Sequence, residues 1–227
     1  MSGTPMKPTK TLLVVLAALL APAAASAQGY YGGGGPGPGY YAPPPPAPLP
    51  GGFHNRTGRL AWGFSLGLGN MSDRGGDITC GNCDYSPLAG EGSVHIGGFI
   101  GPRLAIFGEA QVNVQTLANN SFTGDTTTLS QAALVLAVQY WATPQLWLKG
   151  GLGVASLQVD RSYYGDGIVD ESTVPESGGA VLLGVGYELL SARKFSVDLQ
   201  GRILVGSYEG LDNQITASSV GVGINWF

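Results

Sequence analysis

Charge is scarce in this sequence. Asp, Glu, Lys and Arg make up 11% of its 227 residues, less than half the ~25% of an average soluble protein. A water-facing surface built from so few charges keeps a protein in solution poorly. Long apolar runs are missing as well: beyond the N-terminal segment no stretch reaches the ~20 apolar residues of a transmembrane helix. Nor is there a helical apolar stripe of useful length, so helices are not expected to build the domain. Cysteine is confined to Cys80 and Cys83. No cysteine therefore follows an export cleavage point, and a lipoprotein anchor is not expected.

The N-terminus supplies such an export signal. Lys7 and Lys10 precede an apolar stretch from Leu12 to Leu20, and Ala25-Ser26-Ala27 forms a small-residue cleavage site, so residues 1–27 read as a secretory signal peptide. Residues 28–57 follow as a leader rich in glycine, proline and tyrosine, which buries too little apolar surface to fold alone and is expected to be a disordered periplasmic spacer. Its tyrosines, Tyr30, Tyr31, Tyr40 and Tyr41, offer a second reading as contacts to a partner such as cell wall. Residues 58–227 suit one domain.

Within that domain, apolar residues alternate with glycine, serine and other small or polar ones. Leu60, Trp62, Phe64, Leu66 and Leu68 form one series, and Ala61, Gly63, Ser65, Gly67 and Gly69 the other. A period of two puts each series on its own face of a strand. Eight segments repeat the pattern, at 58–69, 92–101, 103–115, 131–142, 146–158, 179–190, 195–206 and 216–227. A continuous apolar face backed by a small, sparsely charged one predicts an all-β fold, an eight-stranded antiparallel up-and-down transmembrane β-barrel. A soluble sandwich or lipocalin-like barrel is the rival; it would show the glycine-rich face to water, where many more charges are usual.

Connections alternate between short turns, such as Gly101-Pro102-Arg103 and Thr143-Pro144-Gln145, and long loops at 70–91, 116–130 and 159–178. Long loops are extracellular and short turns periplasmic in outer-membrane barrels. Two further patterns agree with that orientation. The outward aromatics Trp62, Tyr140, Tyr187, Phe195 and Trp226 gather toward the turns, as an interfacial girdle does. The long-loop side holds Asp73, Asp77, Asp84, Asp125, Asp160, Asp166, Asp170, Glu171, Glu176, Glu209 and Asp212 against Arg74 and Arg161, whereas the turn side carries Arg56, Arg59, Arg103, Arg193 and Lys194.

The last segment, Val220-Gly221-Val222-Gly223-Ile224-Asn225-Trp226-Phe227, ends in an aromatic. With this ending and the topology above, residues 59–227 resemble the eight-stranded outer-membrane barrels of the OmpA/OmpX type. The resemblance implies that Phe227 is the signal read by the barrel-assembly machinery, and it implies placement in a Gram-negative outer membrane among phospholipid and lipopolysaccharide. Phe227 departs from the usual pattern: it is out of phase with the apolar series Val220, Val222, Ile224 and Trp226.

Candidate chemistry sits in the inward series and the loops. Glu109, Lys149, Glu188, Asp198 and Arg202 all fall on inward positions. A narrow eight-stranded barrel has room for little but side chains, and buried charges need partners, so one linked network is expected. Gln111, Asn113, Gln115, Gln139 and Gln200 can complete it, and Phe99, Phe107, Trp141, Trp147, Leu182 and Leu204 obstruct the bore. Cys80-Gly81-Asn82-Cys83 in the first long loop reads as a disulfide in an oxidising compartment; redox or zinc roles lack the setting or the further ligands they need. The acidic stretch from Asp160 to Glu176 suggests calcium, but without EF-hand spacing, so no metal or cofactor site is assigned. Ser93 with His95 is the one pair worth weighing as catalytic.

The function expected is therefore non-enzymatic: a barrel with a plugged lumen, structural or presenting its loops to an extracellular ligand. A narrow channel for ions or small hydrophobic solutes is the alternative, and a lipid-modifying enzyme the third reading. Nucleic acid is not expected as a partner.

Overall fold

The computed structural model describes residues 56–73, 76–78, 88–118, 126–164, 168–172, 175–192, 194–208 and 214–227. The signal peptide, the leader as far as residue 55 and the Cys80–Cys83 pair lie outside them.

The strands in chain order are β1 Leu60–Asp73, β2 Gly76–Asp77, β3 Ala89–Phe99, β4 Leu104–Ala118, β5 Thr126–Trp141, β6 Leu146–Tyr164, β7 Ile168–Ser172, β8 Glu176–Ser191, β9 Phe195–Tyr208 and β10 Gln214–Trp226. Eight of them form one antiparallel cylinder in the order β1, β3, β4, β5, β6, β8, β9, β10. It closes where β10 pairs with β1 from Trp62↔Trp226 to Asp73↔Ile215. Closure leaves no sheet edge, which a strand wall needs in lipid. The short β2 and β7 pair with β1 and β6.

Alternation sets the two faces. Leu66, Leu68, Leu134, Leu136, Leu152, Val154, Leu183 and Val220 lie exposed on the outside, while their chain neighbours face the bore. On a soluble protein an apolar patch this extensive would drive association; in a bilayer it is the contact surface.

The strands are longer than expected. β6 runs 19 residues, well beyond the ~9–11 needed to cross at a tilt. Part of the expected loop 159–178 is a hairpin, since Asp160 pairs with Ser172 and Ser162 with Asp170. Likewise Thr126↔Ser162 extends the β5–β6 ladder. Residues such as Thr127, Thr128, Asp160 and Arg161 lack the apolar alternation although the ladder continues through them, so periodicity stops before the ladder does.

Candidate functional site

The lumen is filled in layers. At the short-turn end an arginine enters the bore from the segment before β1. Arg56, Thr57, Gly58 and Arg59 make a tight turn in which the Arg59 N–H donates to Arg56 O at 3.0 Å. Gly58 takes the positive φ of 74° that the third position of such turns requires. The turn is fixed to β3 by the Gly58 N–H donating to Phe99 O at 2.8 Å. Arg56 is thereby folded back into the mouth, where Nη1 and Nη2 donate to the two carboxylate oxygens of Glu188 at 2.8 and 2.9 Å. Nη2 also donates to Ser191 Oγ at 3.0 Å. The Arg56 guanidinium lies 4.0 Å from the ring centre of Phe227 and 5.7 Å from those of Phe99 and Trp141, distances suited to cation–π attraction. Trp141 Nε1 donates to Glu188 at 2.8 Å.

A bulge makes this arrangement possible. β8 slips register against β9 between Glu188 and Leu190. Strict alternation would turn Ser191 outward; the bulge re-aims it toward Arg56 and leaves both Leu189 and Leu190 on the outside.

Above this seal, Asp198 accepts from Trp147 Nε1 at 3.1 Å and from Asn225 Nδ2 at 2.9 Å. The charged centre follows. Glu109, wholly buried, accepts from Lys149 Nζ at 2.9 Å through one oxygen and from Arg202 Nη1 through the other. Arg202 Nη1 also reaches Glu91 at 3.3 Å and Ser93 Oγ at 2.6 Å, and Arg202 Nε donates to Gln200 at 3.1 Å. Toward the long loops, amides take over: Gln111 donates to Asn113, Asn113 to Gln131, and Gln131 to the Tyr208 hydroxyl at 2.8 Å. They are packed among Met71, Leu129, Leu157, Leu182, Leu204 and Ile215.

All five expected lumen charges, Glu109, Lys149, Glu188, Asp198 and Arg202, are buried in the bore. They do not form one linked network. Among the described residues the ion pairs fall into two groups: Glu188 with Arg56, and Glu109 with Lys149 and Arg202, joined by Glu91. Glu91 escapes the sequence reading because strand two is expected to begin at 92, whereas β3 begins at Ala89; the alternation of β3 carried two residues further would have found it. Arg56 falls in the segment expected to be a leader, and only its partners reveal its place.

The girdle residues lie on the outer face near the short turns. Trp62 and Trp226 stack across the closing seam with ring centres 4.4 Å apart, and Tyr187 donates its hydroxyl to Gln145 Oε1 at 2.6 Å. Tyr140 and Phe195 are exposed at the same end. Phe227 points the other way, into the bore, edge-on to Phe99 at 5.5 Å. That explains its phase: the terminal ring completes the inner seal and not the outer wall. Of the pair weighed as catalytic, the Ser93 hydroxyl is engaged by Arg202 and Ser65, and the His95 ring packs on Phe107. No group of three or more His, Cys, Asp or Glu side chains is placed to hold a metal ion among the described residues.

The seal has a measurable consequence. Arg56→Ala leaves a buried carboxylate without its cation, which costs about 3 kcal/mol or more. Urea unfolding in vesicles should show that loss, with about half recovered in Arg56→Met/Glu188→Gln. A change below about 0.5 kcal/mol would mean the mouth is wet.

The architecture defines a class: an eight-stranded transmembrane β-barrel whose bore is filled by its own side chains. No family model and no curated protein sequence matches the chain. Solved structures do. The attachment invasion locus protein Ail of Yersinia pestis, in complex with the heparin analogue sucrose octasulfate, is similar at a TM-score of 0.51 and 12% identity, covering 73% of this chain and 98% of that one. Neisserial surface protein A gives 0.41 at 14% identity, over 74% and 95% of the two chains. The N-terminal barrel domain of Pseudomonas aeruginosa OprF gives 0.36 at 13%, over 75% and 98%. The likeness to Ail establishes the fold, that of the eight-stranded outer-membrane barrels; at TM-scores below 0.5 the other two add nothing to it.

Proposed function

We propose that this chain is a non-enzymatic protein of the Gram-negative outer membrane, a closed barrel that holds its long loops at the cell surface and does not conduct. The observation that carries this reading is the layered closure of the bore. An ion crossing from the turn side would have to displace Arg56 from Glu188 and from the rings of Phe227, Phe99 and Trp141. It would next meet the Glu109–Lys149–Arg202 centre and then the apolar and amide packing around Leu182, Leu204 and Gln131. These contacts among the described residues support a bore occupied by its own side chains.

On this reading the short turns, the start of β1 and the end of β10 face the periplasm, Phe227 is presented to the assembly machinery before the barrel closes, and the exposed aromatics settle at the lower interface. The loops are then the binding surface, beside lipopolysaccharide. Their charge argues for a particular class of ligand. Ail was solved with a polysulfated molecule, but here the long-loop side carries eleven acidic residues, named above, against Arg74 and Arg161. A polyanion would be repelled, and a basic partner or one bridged by divalent cations fits better.

Planar-bilayer recording tests the closure. The full protein should show no discrete openings, and Lys149→Ala or Arg202→Ala should not create them, because the layers above and below remain. Discrete openings in the unaltered protein whose size changes in either variant would overturn the plug and favour a channel.

A further inference from the structure

We propose that the turn-side mouth of the barrel is a binding site for a guanidinium group, with Arg56 as its resident ligand and a free alkylguanidinium ion able to take its place. Receptor and ligand come from different parts of the chain. Glu188 and Ser191 stand on β8, Trp141 ends β5, Phe99 ends β3, and Phe227 follows β10, so the closed wall carries all five. Arg56 comes from outside the wall, in the turn before β1. That turn is tied to β3 by the Gly58 N–H donating to Phe99 O at 2.8 Å and the Phe99 N–H donating to Arg59 O at 3.0 Å. Neither bond involves Arg56. Trp141 Nε1, donating to Glu188 at 2.8 Å, orients the carboxylate without help from the arginine. The receptor therefore keeps its shape when the Arg56 side chain is cut back.

Shape selects the ion as much as charge does. Nη1 and Nη2 each meet one oxygen of Glu188, and Nη2 adds Ser191 Oγ. A planar fork matches two parallel bonds, whereas an ammonium is a point charge without that geometry. The Phe227 ring, centred 4.0 Å from the guanidinium carbon, offers its face to a flat cation. Nε, by contrast, is buried and makes no hydrogen bond. Polar recognition thus stops at the two terminal nitrogens, and a free alkylguanidinium carries both of them. Glu188 is also wholly buried, so an empty site would strand its charge. The segment before β1 is held at the mouth as a ligand is held in a site.

This inference needs the closed barrel, but neither its orientation nor its failure to conduct. Arg56→Ala and the unaltered full protein are refolded into vesicles and unfolded with urea in the presence of ethylguanidinium or ethylammonium chloride. A ligand of this size should half-saturate the site at about 1–10 mM. At about 50 mM, ethylguanidinium should then raise the folded-to-unfolded ratio of Arg56→Ala by about six- to fiftyfold. Ethylammonium should change that ratio by less than about twofold. The unaltered protein, whose site is filled, should gain from neither salt. Arg56→Ala/Glu188→Gln, which lacks the carboxylate fork, should gain from neither as well. Should Arg56→Ala not fold alone, the yield of heat-modifiable band on refolding is read in place of the ratio, and only ethylguanidinium should raise it. Equal effects of the two salts on Arg56→Ala, no effect of either, or an equal gain in the unaltered protein would overturn the proposal. Failure of the unaltered protein to give a heat-modifiable band in the vesicles would instead overturn the membrane-barrel reading.

Discussion

Glu109→Ala is expected to lower the unfolding free energy by about 3–5 kcal/mol, one of the two largest effects anticipated for a single substitution in this chain. Glu109 is fully buried and is the acceptor that Lys149 and Arg202 share. Deleting it leaves Lys149 buried without its ion-pair partner, whereas Arg202 retains Glu91 and Ser93. The penalty is that of the stranded charge, not the worth of one contact. It follows that Glu109→Met/Lys149→Met, which removes the pair together, should recover at least half of the loss. Urea unfolding from vesicles reads both: with a slope of about 1–3 kcal/mol per molar, the single variant shifts the midpoint by more than about 1 M. A loss below about 1 kcal/mol would mean that the centre is hydrated and its ion pairs screened like surface pairs.

The second large effect concerns two glycines in one short run. Gly150 and Gly153 both belong to Gly150-Gly151-Leu152-Gly153 on β6, yet Gly153→Val should abolish folding and Gly150→Val should not. Gly153 faces the bore, where the neighbouring β5 backbone passes so closely that a Cβ would run into Leu134 O and the Cα of Val135. Neither atom can retreat without breaking the ladder that pairs Val135 with Gly153 and Leu134 with Val154. Gly150 faces lipid, and its Cβ would touch only the tip of Leu183 at 4.0 Å. Electrophoresis without boiling distinguishes them, because only a folded barrel migrates in compact form. A folded band for Gly153→Val would mean that β5 and β6 can separate locally at no great cost.

These two predictions mark how far local pattern reaches. Gly150 and Gly153 can be assigned to opposite faces by counting alone, but the close approach of the β5 backbone at Gly153 cannot. Likewise, Glu109, Lys149 and Arg202 are legible as inward charges from their parity. That Glu109 is the shared acceptor is not legible, since Arg202 and Glu109 are 93 residues apart in the chain. Phe227 shows the same division: its phase mismatch is plain in the sequence, and the reason, an inward ring against Arg56 and Phe99, exists only once β10 has closed on β1.

By itself the sequence determined the wall: eight crossings, which residues face out, which end carries the turns, and the segregation of acidic loops from basic turns. Lipid imposes that simplicity, because every outward side chain meets the same apolar solvent and the pleat of a regular strand puts alternate residues there. The tertiary structure decided the interior. Which inward residues meet depends on the stagger with which the strands close, and on departures such as the bulge after Glu188 that turns Ser191 toward the bore. It also decided that Arg56, 132 residues from Glu188, belongs to the barrel and not to the segment before it. Stagger and closure are properties of the whole cylinder, so no local stretch of sequence carries them.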